Sequence, residues 1–385
     1  MIRVLWGELR RILAPRSLLI AVLVGGLWYT SIGWSQIKTI GTSSPNVHQL
    51  ALDLTRRFGP TLEPTELSQV QAELARLTAQ ADALVAATPE LAAAGLHTFA
   101  DVQQYDRTDE KTAEVIWRLL YTDDGLGWQV ETYQNVVDQY QGAVTTLQAK
   151  NKQAPTQTQA SRLQQIIDNQ EWHSLQSDEL LTFGTSYAYQ VAVVVLLMVL
   201  LLAGPLVAGD RVARLRQTQA STRTGRRLLA VQFVATLLVS AVTAGVVGVA
   251  AGLVLGRFGL FAFWNNGIQS FLTGPVYLWS WPLRSYGWCY LGLLLLVALL
   301  AGSVGFVLSR TSDSYTKLAL WLTVAAILLS QLLRPIFDYP FTFDNPLTML
   351  SGISAAGPIA LVLLTAAALL AGTLVVRAER HIDVE

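Results

Sequence analysis

An all-α polytopic membrane protein with six spans and a large helical extracytoplasmic domain is the fold class this sequence predicts, and three observations carry it. Apolar residues make up 52% of the 385-residue chain and charged residues only 14%, against roughly 25% in ordinary soluble domains. The apolar residues are bunched into six long runs, and the segments between them differ sharply in charge. The apolar content excludes a disordered chain, and the single Cys289 excludes a disulfide scaffold. The 27 basic residues balance 27 acidic ones, which gives no reason to expect nucleic acid as a partner.

A helix needs roughly 20 apolar residues to cross the hydrocarbon core. The first run, Ser17–Trp34, follows a basic start and could be taken for a signal peptide. No small-residue cleavage site follows it, since the chain continues Ser35-Gln36-Ile37-Lys38. Residues 1–35 are therefore read as an N-terminal amphipathic segment and a retained first span. Trp28, Tyr29 and Trp34 form an aromatic belt at its outer end.

Residues 36–185 form the extracytoplasmic domain. Leu67, Val70, Leu74, Leu77, Ala81 and Leu84 alternate steps of three and four, the stripe of a packed helix. A second stripe runs Tyr133, Val136, Tyr140, Val144, Leu147, and a third includes Leu163, Ile166 and Ile167. Breaks fall at Pro60, Pro89, Gly95, Asp123-Asp124-Gly125 and Pro155. A helical hairpin or small bundle is expected. His48, His97 and His173 are isolated, so no metal site is expected.

Residues 186–385 hold the remaining runs: Tyr187–Ala208, Leu228–Leu255, Tyr286–Leu308, Leu318–Leu333 and Ala355–Val376. The fifth of the six is short but lies between Lys317 and Arg334, which can snorkel outward. Two aromatic-rich connections, 258–283 and 335–354, suit the bilayer interface. They are expected as short interfacial or re-entrant helices, or as a wall for a lipid-like substrate. Ala244, Gly248, Gly252 and Gly256 in span 3 recur every four residues, a pattern that permits close helix packing in lipid.

Charge orients the chain. The segment before span 1 has net charge +3 and the connection between spans 2 and 3 has +5, whereas 36–185 carries 19 acidic and 10 basic residues. Six spans with both termini cytoplasmic satisfy the preference of cytoplasmic loops for Lys and Arg. The protein is expected in the cell (cytoplasmic) membrane, in contact with its lipids.

Chemical machinery is sparse. No span interior carries Asp or Glu, as ion-coupled transporters usually require. There is no G-x-x-x-x-G-K-[ST] phosphate loop. No catalytic set is in sight, so neither an enzyme nor a cofactor is expected.

The most informative stretch is Gly204–Gln232, GPLVAGDRVARLRQTQASTRTGRRLLAVQ. It resembles the cytoplasmic loop of ABC-2-type transporter permeases, with Asp210-Arg211 at its acidic entry and Ser221-Thr222-Arg223-Thr224-Gly225-Arg226-Arg227 at its Ser/Thr-rich Gly-Arg turn. The opening Trp6-Gly7-Glu8-Leu9-Arg10-Arg11 is similar to that family's amphipathic N-terminal helix. Two departures stand out: Asp210 replaces the more frequent Glu, and Gln232 stands where Lys is common. The resemblance implies the permease subunit of an ATP-driven bacterial exporter of a peptide, lipid or drug-like substrate. It further implies a separate ABC ATP-binding subunit and a second permease copy or a related permease. Asp210, Arg211, Val212, Leu215, Arg223, Arg226 and Arg227, within the loop 209–227, would couple to the ATPase. The rival reading is a non-transporting membrane sensor or scaffold that displays the helical domain.

Overall fold

The computed structural model describes residues 2–43, 45–106, 109–122, 125–212 and 228–380. It divides into two compact units, one of Met1–Lys38, Thr182–Arg257 and Arg284–Glu385, the other of Thr39–Leu181 and Phe258–Leu283.

Among the described residues six helices are long and apolar enough to cross a membrane: Pro15–Ile37, Asp178–Asp210, Leu228–Gly256, Leu283–Thr311, Tyr315–Phe337 and Ala356–Ala378, called spans 1 to 6 below. They overrun the apolar runs. Span 5 gains a turn at its start, where the Ser314 hydroxyl accepts the Lys317 N–H at 3.3 Å. Its other end runs through Pro335 to Phe337.

Span 2 is the most enclosed of the six, with 78% of its apolar window buried, while spans 1, 5 and 6 leave most of theirs exposed. Leucines, valines and isoleucines face outward along those spans, as lipid as solvent demands. Inside, backbones approach closely. A Cβ on Gly302 of span 4 would lie 2.3 Å from Ser240 Oγ and 3.4 Å from Thr236 Cγ2 of span 3. The Thr236, Ser240 and Thr243 hydroxyls donate to the carbonyls of Gln232, Thr236 and Val239 within their own helix, so the polar stripe of span 3 is internally bonded.

The second unit is helical around the packed pair Pro64–Ala86 and Leu126–Lys152. The first begins with a capping box, in which Glu66 accepts the Glu63 N–H at 2.8 Å. The three expected stripes form the core: Leu67, Val70, Leu77 and Ala81 are buried, as are Val136, Tyr140, Leu147, Leu163 and Ile166. Among the described residues, strand pairing is limited to two isolated bridges.

The segment 258–283 departs from expectation. It contains turns and no helix, and it folds into this second unit. Asn266 donates to the Leu175 carbonyl and to Thr55 Oγ1. Arg162, 6% exposed, donates through Nε to the Tyr277 carbonyl at 3.0 Å and through Nη1 to Ser280 Oγ at 3.0 Å. The same guanidinium pairs with Glu171 at 2.8 Å, which pulls that carboxyl below its usual range against the effect of its own burial. The segment 335–354 does contain a short helix, Pro346–Ser351, capped by the Asn345 side chain.

Candidate functional site

The N-terminal helix Ile2–Ile12 is the starting point. Leu5, Leu9 and Ile12 share one face and pack against Leu202, Leu206, Ala235 and Val239 of spans 2 and 3. Glu8 lies on that same face, three residues from Leu5 and four from Ile12, and is only 9% exposed. A carboxylate in such a place requires partners.

Span 2 supplies the first. Its helix breaks at Gly204 and resumes as Pro205–Val212. A Cβ on Gly204 would lie 2.8 Å from the Leu200 carbonyl and 2.5 Å from Leu322, so the break is a site of close approach. A new helix start leaves backbone N–H groups without helical acceptors. Ser309 of span 4 satisfies two of them, its Oγ accepting from Val207 N at 3.1 Å and Ala208 N at 2.9 Å. The restarted helix then carries Asp210 inward, 6% exposed.

Arg11 bridges the two acids. Its Nη2 lies 2.6 Å from Asp210 Oδ1 and donates to the Leu206 carbonyl at 3.2 Å, while Nη1 is 3.8 Å from Glu8 Oε2. Gly209 leaves the room, since a Cβ there would come within 3.1 Å of the guanidinium. Gln232 of span 3 closes the cluster, its Nε2 donating to Asp210 Oδ2 at 2.8 Å and to Glu8 Oε2 at 3.3 Å. Two carboxyl groups thus share one guanidinium and one neutral amide. Burial pushes Glu8 above the ordinary glutamate range and nearby Asp210 adds to that, while Arg11 and Gln232 oppose it.

The cluster ties the N-terminal helix to both helices that flank the connection 213–227. Of the residues singled out as coupling candidates, Asp210 is in it. Leu215, Arg223, Arg226 and Arg227 lie outside the described residues, as do the side chains of Arg211 and Val212. Glu8 and Arg11 were not among the candidates. Glu8 alone carries a local sign: it is the only acid in the first 52 residues and interrupts an apolar helical face, which marks it for a partner without saying which.

The small residues of span 3 divide. Ala244 is buried, and a Cβ on Gly248 would meet Leu291 at 2.6 Å and Leu294 at 3.3 Å, so its neighbour is span 4 of the same chain. Gly252 has nothing within 4 Å of that position, and Gly256 ends the helix. Among the described residues no group of three or more His, Cys, Asp or Glu could hold a metal ion. A cleft of about 560 Å³ in the second unit lies between the Asp138–Lys150 face of its long helix and the turn 269–274.

Comparison with protein families matches residues 128–337, more than half of the chain, to the ABC-2 family transporter proteins. The match includes spans 2 to 5, with Asp210 and Gln232, and stops short of the N-terminal helix and span 6. No curated protein and no solved structure matches the chain.

Proposed function

The chain belongs to the ABC-2 family and is a transporter permease, and from that premise we propose that it is the membrane subunit of a bacterial exporter driven by a separate ABC ATP-binding subunit. Its substrate is a peptide, a lipid or a drug-like molecule. Two such subunits, or one and a related permease, pair around the path, with both termini cytoplasmic and the Thr39–Leu181 unit outside the cell membrane.

The observation that carries this reading is the Glu8–Arg11–Asp210–Gln232 cluster. Closure of an ATPase dimer against the connection 209–227 is felt first by Asp210 and Gln232, the buried polar residues at its two ends. Arg11 and Glu8 add the N-terminal helix to the same rigid joint, so one push moves spans 2 and 3 and that helix together. Packed elements joined in this way switch between discrete arrangements rather than deform smoothly. Val212 and Leu215 supply the apolar docking contact, and Arg223, Arg226 and Arg227 hold the far end of the loop at the membrane surface.

The test is association. Co-expressed with its cognate ATPase, the chain copurifies as a complex with two copies of each subunit, and purified alone it neither binds nor hydrolyses ATP. A Val212→Asp, Leu215→Asp variant, inserted in normal amount, loses the ATPase and the transport-linked resistance. Normal association of that variant would overturn the coupling role. It would favour the sensor or scaffold.

A further inference from the structure

The cleft of about 560 Å³ in the second unit has the size of a small-ligand site, for which roughly 300–1,000 Å³ is usual. One wall is the long helix Leu126–Lys152, which presents Asp138, Gly142 and Lys150 along about 18 Å of its axis. The other is made by Trp172 and the turn 269–274. The Trp172 and Phe271 rings both pack edge-on against buried Tyr140, at 5.1 and 5.2 Å, which fixes the aromatic part of the wall. Gly142 sits in the middle of the helix, where glycine is unfavourable, and a Cβ there would meet nothing within 4 Å. No neighbour demands glycine at this place. What the missing side chain does is keep the cleft open.

The polar lining selects a ligand. Gln269 is 4% exposed; its Oε1 accepts the Tyr277 N–H at 3.1 Å, while its Nε2 finds no acceptor among the described residues. A buried amide donor in a cleft wall calls for an acceptor from outside the chain. Asp138 accepts from Gln134 Nε2 at 2.7 Å and meets no cation among the described residues. Lys150 is already committed. Its Nζ donates to the Gly274 carbonyl at 2.7 Å, and Asp178 accepts the Gly274 N–H at 3.2 Å, so a base and an acid hold the same turn. The unbalanced charge of the lining is therefore negative, as is that of residues 36–185, with 19 acidic and 10 basic. We propose that the cleft binds a short cationic peptide: an ammonium group on Asp138, a backbone carbonyl on Gln269 Nε2, and an apolar side chain against Trp172 and Phe271, whose ring faces also attract a cation. Gln269 favours a peptide over a simple amine, which brings no acceptor. The site goes beyond the permease reading, because binding here needs neither the ATPase nor transport.

The test is calorimetric titration of the full chain, purified in nonionic detergent without ATPase or ATP. Three probes are compared: the amidated tripeptide lysyl-phenylalanyl-alanine, the acetylated free acid glutamyl-phenylalanyl-alanine, and phenethylammonium, which has the cation and the ring but no carbonyl. The cationic peptide should bind at least about tenfold more tightly than either of the others, the loss expected for one charge-assisted hydrogen bond or one buried donor left unpaired. Asp138→Asn, which keeps the shape of an exposed side chain, should lower its affinity by about tenfold as well. Gly142→Phe, which fills the cleft, should remove binding. Absence of binding at millimolar peptide would overturn the proposal, and so would equal affinity for the anionic peptide. Equal affinity for phenethylammonium would make this a site for organic cations in general and overturn the peptide assignment. Unchanged binding in Gly142→Phe would place the peptide elsewhere; if that variant does not fold, Asp138→Asn decides. Each of these failures leaves the permease reading intact, which is tested by association with the ATPase.

Discussion

Removing Arg11 leaves Asp210 in a site where it is 6% exposed and where, among the described residues, the Gln232 amide remains bonded to it. The effect of the substitution is therefore set by the acid that stays behind. Breaking one partner of a fully buried pair typically costs about 3–5 kcal/mol; the Arg11 side chain is 40% exposed, so the cost here is smaller, and Arg11→Gln should unfold at lower temperature in detergent than the parent, with part of the loss recovered when Asp210→Asn is combined with it. No recovery in the double variant would mean that the two side chains do not act on each other. Glu8 behaves differently. Its carboxyl is raised on folding, so its contribution is present below the ordinary glutamate value of 4.5 and is lost as pH rises through the folded value. At neutral pH the charged form is a burden. Glu8→Gln should match or exceed the parent in thermal stability at pH 7, and should lack the part of the parent's decline that begins above pH 4.5. A Glu8→Gln profile parallel to the parent's would show that Glu8 does not titrate differently in the fold. Of this cluster, Asp210 was found in the sequence by its place in a loop motif. Glu8 and Arg11 were not, because nothing local states that a short N-terminal helix folds back onto residues about 200 and 220 positions away.

Helix contacts are where small residues take effect, and here the spacing rule was only half informative. A run of small residues at four-residue intervals says that a close contact is possible along one face, without saying how far along the face it extends. Gly248 meets Leu291 and Leu294, yet Gly252, one turn on, meets nothing. The tighter crossing, Gly302 against Ser240, lies one four-residue step before Ala244 on span 3, and its glycine belongs to span 4. Gly302→Ala should cost about 1–3 kcal/mol, the usual range for an overpacked contact, whereas Gly252→Ala should stay within about 0.5 kcal/mol. Ser240→Ala removes the oxygen nearest the added methyl and should return part of the Gly302→Ala loss. Thermal unfolding of the single and double variants reads all three, and a Gly252→Ala change as costly as Gly302→Ala would refute the assignment of the crossing. The six spans themselves were legible, because a run of apolar residues needs no partner to be recognised. The 258–283 segment was not. Its aromatics suit an interface as well as a folded loop, and what decides is Arg162, about a hundred residues earlier, reaching the Tyr277 carbonyl and Ser280. Arg162→Met should therefore expose 258–283 to protease in the full chain. Unchanged cleavage would remove the latch from the account.

Across the chain, two segments far apart in sequence must lie on the same side of the membrane. The segments 39–181 and 258–283 fold into one unit, joined by the bonds of Arg162 and Asn266. They are separated by spans 2 and 3, so both spans must cross or neither does, and their apolar lengths require that they cross. On the proposed topology the charges of the span 2–3 connection then fall on the opposite side. Charge supports one orientation: 36–185 carries 19 acidic and 10 basic residues, 258–283 carries no charge, and the span 2–3 connection has net +5. The preference of basic loops for the cytoplasm is the ground on which we propose that the folded unit lies outside. Single cysteines at Gln103 and Gln139, both exposed in that unit, should react with an impermeant thiol reagent in intact cells carrying the Cys289→Ala chain. One at Thr218 should react only once the membrane is opened. A further cysteine at Phe261, which is 53% exposed, carries the stronger test. It must label with Gln103 and Gln139 if 258–283 belongs to their unit, and with Thr218 if spans 3 and 4 are arranged otherwise. Labelling of the Thr218→Cys protein in intact cells would overturn the orientation. Labelling of Phe261→Cys on the side of Thr218 would overturn the crossing of span 3, and with it the joining of the two segments.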